Sequence, residues 1–254
     1  MIEIIQIQLL SDNYSYIIRD KNTNITGCID PSVAKDIVNV LQNRGIDLNF
    51  ILNTHHHQDH VGGNLELKEI YNCKIIGCSD DQNRIPGIDI KLKDSEEFNI
   101  GESVFKVIDT PGHTIGHICF YFEDQNFLFC GDTIFSLGCG RLFEGSYEQM
   151  TESILKIRSL PDSTKIFCGH EYTESNAKFA EFLDPGDDLL KKKILNIKKD
   201  RLESKPTIPA LLEEEKKLNP FMKFDNQEYL DSIKIENISN SENFKKIRIM
   251  KDNF

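Results

Sequence analysis

The chain has 254 residues, of which 39% are hydrophobic and 28% charged. That supports one large core or two smaller ones and excludes collagen-like, coiled-coil and wholly disordered chains. A formal net charge of −11 argues against a general nucleic-acid binder, because neutralising phosphates needs surplus Lys and Arg.

In chain order, residues 2–9, 14–20 and 25–30 alternate as short strands between Asn, Asp and Ser turns. The first of these lacks a basic leader and a small-residue cleavage site, so it reads as a strand and not as a secretion signal. Val33, Ile37, Val40 and Leu41 follow at helical spacing, with Gly45 as the stop. Phe50-Ile51-Leu52 is a short buried strand, and Gly62-Gly63-Asn64 opens a helix over 64–71. Strands are expected at 74–77, 104–109, 117–122, 127–130 and 166–168, and a helix over 147–159 with Met150, Ile154, Ile157 and Leu160 on one face. Such interleaving is α/β, or layered α+β. After Tyr172 the pattern becomes helical, with helices expected at 173–182, 187–203 and 209–217, the last introduced by Thr207 and Pro209. No clear strand is expected to return.

Charge shifts along the chain as well. Residues 190–254 hold 15 Lys+Arg against 11 Asp+Glu, a balance of +4, and residues 1–189 hold 15 against 30, a balance of −15. An acidic α/β body of residues 1–173 followed by a helical unit of residues 174–254 is therefore expected. No run of about 18 apolar residues is present, so no membrane helix is expected. The seven cysteines, Cys28, Cys73, Cys78, Cys119, Cys130, Cys139 and Cys168, form no CxxC pair, and four lie in apolar runs. Reduced, buried thiols in a reducing, cytoplasmic compartment are expected rather than a disulfide framework. Cys139 stands apart, in a glycine loop close to the chemistry.

The seven histidines carry that chemistry: His55, His56, His57, His60, His113, His117 and His170. Directly after the strand at 50–52 comes Thr54-His55-His56-His57-Gln58-Asp59-His60, an HxHxDH arrangement of His55, His57, Asp59 and His60. This density of imidazole and carboxylate suits Zn, Fe or Mn. In an extended loop, residues 55, 57 and 59 would point one way, while adjacent Asp59 and His60 could diverge toward two ions about 3.5–4 Å apart. A purification tag would be terminal and would lack the interposed Asp, and one satisfied core histidine does not account for four in six residues. Three later loops, Thr110–His117, Gly131-Asp132-Thr133 and Cys168-Gly169-His170-Glu171, each place a His or Asp beside a Gly at a strand's end. Strand C-termini are where open α/β sheets build sites.

Together these motifs resemble the metallo-β-lactamase superfamily, whose fold is a four-layered αβ/βα sandwich with a dinuclear metal site. Within it, THHHQDHVGGN at 54–64, the Gly138-Cys139-Gly140-Arg141 loop and Gly169–Tyr172 (GHEY) are similar to the glyoxalase II family, the hydroxyacylglutathione hydrolases. So are Thr207-Ile208-Pro209, Asn219-Pro220-Phe221-Met222 and the tail from Arg248 to Phe254, which match that family's small all-helical C-terminal domain. The resemblance implies two divalent ions per chain, Zn with Fe and Mn as alternatives. His55, His57 and His113 would hold the first ion, and Asp59, His60 and His170 the second. Asp132 would bridge them together with a hydroxide, and His56 and His117 would support without ligating. It implies a glutathione thioester as substrate, held by Arg141, Tyr172, Arg248 and Lys251 with Cys139 nearby. The reaction implied is hydrolysis of S-D-lactoylglutathione to D-lactate and glutathione, the second step of methylglyoxal detoxification. The hydroxide attacks the carbonyl, and Asp59 orients it.

Family members often carry Tyr where this chain has Phe143, which cannot donate a hydrogen bond. A monomer without nucleic-acid or membrane partners is expected. The alternatives within the superfamily are a mononuclear-iron enzyme resembling persulfide dioxygenases and another hydrolase such as a lactonase. The GHEY motif and the helical tail count against the first.

Overall fold

The structure, a computed structural model, describes residues 2–254. It divides into two compact units: the chain up to Asp109 together with Ile115–Gly131, and Thr110–Thr114 together with Asp132–Phe254. Met1 lies outside the described residues.

The first unit contains a sheet ordered β1 (Ile2–Leu9), β2 (Asn13–Asp20), β3 (Thr26–Ile29), β4 (Phe50–Leu52), β5 (Lys74–Cys78) and β6 (Ile90–Leu92). The β1–β2 and β2–β3 pairs are antiparallel, and β3 through β6 are parallel. Crossovers are made by α1 (Ala34–Arg44) and by α2 (Gln58–Val61) with α3 (Asn64–Tyr71). Strand register explains why the helices lie where they do. Ile5, Ile17, Cys28, Ile51 and Ile75 pair across five successive strands. Side chains alternate along a strand, so all five share one face. That row packs with Ile37 and Leu41 of α1 and Leu67 of α3 in one cluster. Each buried Leu or Ile contributes about 1.5–3 kcal/mol.

The opposite face meets a second set of strands, β7 (Glu97–Ile100), β8 (Ser103–Asp109), β9 (Ile118–Phe122) and β10 (Phe127–Gly131), ordered β10-β9-β8-β7 and antiparallel. Tyr16 and Phe129 meet edge to face at 5.4 Å, and Phe50 and Phe98 at 5.3 Å. One carboxylate also ties the two sheets. Asp20, at the end of β2, accepts from the Ser103 hydroxyl at 2.7 Å and from the Asn22 and Thr23 amides. Burial alone would raise its pKa, but these donors outweigh it and hold the group well below the usual carboxylate range.

The second unit holds the hairpin β11 (Ile134–Phe135) and β12 (Gly138–Cys139), α4 (Tyr147–Arg158), β13 (Lys165–Cys168), α5 (Thr173–Leu183), α6 (Asp188–Leu202), β14 (Ala210–Leu211), α7 (Leu212–Leu218), α8 (Gln227–Ser232) and α9 (Asn240–Asp252). Leu137, Ala177, Ala180, Leu190, Ile194, Ile197 and Leu218 form its apolar cluster. Ser146 and Gln149 close a reciprocal capping box at the start of α4.

The structure corrects the expectation for 209–217. A strand does return: Ala210 and Leu211 pair antiparallel with Ile166 and Lys165, and the helix starts only at Leu212. The edge of β13 supplies ladder hydrogen bonds that a helical turn at 210–211 would forgo. Thr207 is not a helix cap, since its amide and hydroxyl both donate to the Glu171 carboxylate, at 2.8 and 2.7 Å. Strands β6, β7, β11 and β12 also lay outside the sequence expectation, being too short for periodicity to reveal. All seven cysteines are buried thiols, in keeping with the expected reduced state.

Candidate metal centre and substrate pocket

In the first unit, the loops after the parallel strands β3, β4 and β5 carry Asp30, Thr54–His60 and Asp81. Neighbouring parallel strands end side by side, so these loops converge. Asp30 is the anchor. Its Oδ1 accepts from the Thr54 amide at 2.8 Å, and its Oδ2 accepts from the Thr54 hydroxyl at 2.7 Å and faces His60 Nδ1 at 3.0 Å. Because the Thr54 hydroxyl gives its proton to Asp30, its oxygen is left to accept from His55 Nδ1, 3.0 Å away. Both imidazoles are thereby held with Nδ1 protonated and Nε2 carrying the lone pair. Ligand atoms of Asp30, His55 and His60 lie within 4.8 Å of one another, and the His57 ring centroid is 4.7 Å from that of His55.

Asp59 is fixed from the first residue of β2. Asn13 Nδ2 donates to its Oδ2 at 2.9 Å and to its backbone carbonyl at 3.2 Å. His60 Nε2 lies 3.5 Å from the same Oδ2. Residue 59 is not in an extended loop, as alternation would require. Gln58–Val61 form a helical turn with His57 as N-cap, and the His60 amide donates to the His57 carbonyl. Asp59 and His60 do not diverge as expected: the helical turn brings their ligand atoms to within 3.5 Å of each other.

His56 and His117 have structural partners. His56 Nδ1 lies 3.0 Å from the buried Asp81 carboxylate, which also receives the Arg84 guanidinium. His117 stacks on His55 with centroids 4.9 Å apart. Gly131, at φ +46°, leaves room beside this stack, since a Cβ there would collide with the Thr54 hydroxyl and the His117 ring.

In the second unit, His113, Asp132 and His170 gather. His113 Nδ1 donates to the Arg141 carbonyl at 2.7 Å. Its Nε2 is 3.5 Å from Asp132 Oδ2, and His170 Nε2 is 3.3 Å from the same oxygen. A carbonyl only accepts, so the neutral His113 ring turns a lone pair toward a carboxylate. A bound cation reconciles two such acceptors, and imidazole and carboxylate donors fit Zn, Fe or Mn. The same opposition holds at His60 and Asp59 in the first unit.

The same unit encloses a cavity of about 390 Å³ lined by His113, Asp132, Cys139, Arg141, Phe143, Tyr172, Arg248 and Lys251 among others. Tyr172 stacks on His170 at 4.6 Å with planes 3° apart. Arg248 is only 4% exposed. Its Nη1 donates to the Cys139 carbonyl at 3.1 Å, and its Nη2 pairs with Asp252 at 2.9 Å. Lys251 Nζ donates to the Ser175 carbonyl at 3.1 Å and lies over the Phe179 ring. Burial, with Arg248 and Arg141 nearby, lowers its pKa to about 8. Burial pushes the Cys139 thiol up to about 11, so it stays protonated and unreactive at neutral pH. Phe143 is 65% exposed, with its ring 5.2 Å from His113.

Sequence reasoning did not single out Asn13, Asp30 or Asp81. The usable signal was positional: Asp30 ends a strand immediately before Pro31, and Asp81 lies three residues past the end of β5.

Residues 11–170 match the family model of the metallo-beta-lactamase superfamily, and residues 171–254 match that of the hydroxyacylglutathione hydrolase C-terminus. The crystal structure of ETHE1 from Myxococcus xanthus shares this fold, with a TM-score of 0.68 at 23% identity over 96% of this chain and 95% of that one. A hydroxyacylglutathione hydrolase of Methylococcus capsulatus is 47% identical over 100% of this chain and 99% of its own length. One from Pelagibacter ubique is 47% identical over 99% of this chain and 100% of its own. The chain therefore belongs to the hydroxyacylglutathione hydrolase family of the metallo-β-lactamase superfamily. Its fold and its clustered His and Asp donors are those of a divalent-metal protein. Among the described residues, no helix is long and apolar enough to cross a membrane.

Proposed function

We propose that the chain hydrolyses the thioester of S-D-lactoylglutathione and related 2-hydroxyacyl glutathiones, releasing the hydroxy acid and glutathione. The observation that carries this reading is the cavity of the second unit, where Arg248, Lys251, Arg141 and Tyr172 share one lining with His113 and Asp132. Cations suited to glutathione's carboxylates thus stand beside metal-type donors. His55, His57 and His113 are assigned to one ion and Asp59, His60 and His170 to a second, with Asp132 shared. Zn is the favoured metal. Residues 1–173 form the catalytic domain and residues 174–254 the substrate-binding domain, in a cytoplasmic monomer.

When bound, the ions would polarise the thioester carbonyl and raise the acidity of water toward neutral pH. Asp59, held by Asn13, orients the attacking water. Tyr172 and the guanidinium of Arg248 grip the glutathione moiety, and Lys251 meets a carboxylate. Water gives a proton to solvent and adds its oxygen to the carbonyl carbon, the C–S bond breaks, and the electron pair leaves on sulfur. A thiolate whose conjugate acid has a pKa of about 8.5 departs without a strong general acid, in keeping with a cavity whose acidic side chains are assigned to ligation.

The test is an assay with S-D-lactoylglutathione on metal-analysed protein, before and after chelation. Two ions per chain and chelator-sensitive hydrolysis are expected. Fully metallated protein that leaves the thioester intact overturns the proposal, as does one iron per chain with oxygen consumption.

A further inference from the structure

The loop that lines the cavity hangs on a backbone turn with almost no freedom of its own. Leu137, between β11 and β12, is buried and adopts φ +56°, a left-handed conformation that a branched residue keeps only when its surroundings impose it. The surroundings are two side chains, Glu215 of α7 and Asn219, the residue just past the end of that helix. Both are fully buried. The Glu215 carboxylate accepts from the Leu137 amide at 2.7 Å, from the Ser136 hydroxyl at 3.0 Å and from Asn219 Nδ2 at 3.0 Å. Asn219 Nδ2 also donates to the carbonyls of Phe135 and Gly138, at 3.1 and 3.0 Å. Asn219 Oδ1 in turn accepts from the Phe221 amide at 3.0 Å, which fixes which way its amide faces.

Two carbonyls just beyond this turn do chemical work. That of Cys139 holds the buried Arg248 guanidinium. That of Arg141 holds His113 Nδ1 and so sets which nitrogen faces Asp132. A change in the path of the turn displaces both together.

We infer that Glu215 and Asn219 are positioning residues for the hydrolysis, because they impose the turn from which the Arg248 and His113 anchors are hung. The inference rests on the thioester-hydrolase reading for its kinetic consequence, not for the geometry of the clamp. Oε2 of Glu215 accepts from both the Leu137 amide and Asn219 Nδ2, and burial raises the pKa of the group. Glu215→Leu removes both oxygens and leaves the Leu137 amide without that buried acceptor, whereas a Gln could turn its NH2 to the Ser136 hydroxyl, which also accepts.

The test compares the metallated wild type, Glu215→Leu and Leu41→Ala, a control in the α1 core of the first unit. Deuterium uptake over residues 134–141 is measured together with KM, kcat and melting temperature. Glu215→Leu is expected to speed exchange of that segment and to raise KM on the order of tenfold, the cost of about one buried amide left without its acceptor. Leu41→Ala is expected to melt earlier with unchanged KM and unchanged exchange at 134–141. Unchanged exchange and KM in Glu215→Leu, or the same KM rise in Leu41→Ala, overturns the inference. A wild type that cleaves no thioester would sink the functional proposal instead, and the exchange comparison would still decide the clamp.

Discussion

The two units prepare their histidines by different means. In the first, buried side-chain carboxylates do it: Asp30 orients His60 directly and His55 through Thr54, and Asp81 holds His56. In the second, one backbone carbonyl and one aromatic ring do it: His113 is held by the Arg141 carbonyl, and His170 stacks on Tyr172. A carboxylate anchor raises the basicity of the imidazole it holds, and single substitutions can remove it. A carbonyl anchor survives side-chain changes at its own residue and fails only when the loop moves. Metal retention should therefore be most sensitive to mutation in the first unit, and substrate affinity in the second.

The strongest break of that contrast is Asp30→Ala. Three donors lose one buried acceptor, and metal affinity is expected to fall 10- to 100-fold, on the order seen for outer partners of metal-bound histidines. Competition with a chelator measures it, and retention equal to wild type would erase the distinction. In the second unit, Arg248→Ala with Lys251→Ala should raise KM on the order of tenfold or more while lowering kcat less. An unchanged KM removes these residues from substrate binding.

Asp20→Asn probes the first unit away from its histidines. It is expected to cost about 1 kcal/mol in urea unfolding at pH 7, with KM unaltered. The folded pKa of Asp20 is depressed, so its contribution is complete above the unfolded value of about 3.9 and is lost as pH falls through the lower folded value. The difference between variant and wild type should therefore narrow in strong acid.

Lys251 gives a pH signature to the second unit. Its pKa is lowered to about 8, so the ammonium is present below that pH and is lost above it. KM is expected to be flat below pH 8 and to rise above it, and Lys251→Arg should abolish the rise. The smallest effect is expected at Phe143, an exposed wall of the cavity. Phe143→Tyr restores a donor, and a hydrogen bond of about 0.5–1.5 kcal/mol would lower KM a few-fold.

Much of the molecule was legible residue by residue. The strands β1–β5 read from their apolar residues, and α1, α3, α4, α5 and α6 from helical spacing, with side-chain caps at α4 and α6. These signals are local, so one stretch of chain suffices to read them. HxHxDH was legible because metal chemistry selects residue types that rarely cluster for any other reason. The helical turn at 58–61 was not, since four residues hold barely more than one period. Nor was β14, whose existence depends on the exposed edge of β13, 42 residues upstream at its closest.

By itself, the sequence determined the class of chemistry: which residues can ligate, which can meet an anion, and the split between an acidic body and a basic tail. Only the tertiary structure decided how those residues are held. Asp30, Asn13 and Asp81 act because parallel strands end side by side and the start of β2 reaches Asp59. Glu215 and Asn219 act because α7 and the residue that follows it meet a turn about eighty residues earlier in the chain. A hydrogen bond depends on distance in space, and sequence spacing reports that distance only within a single element.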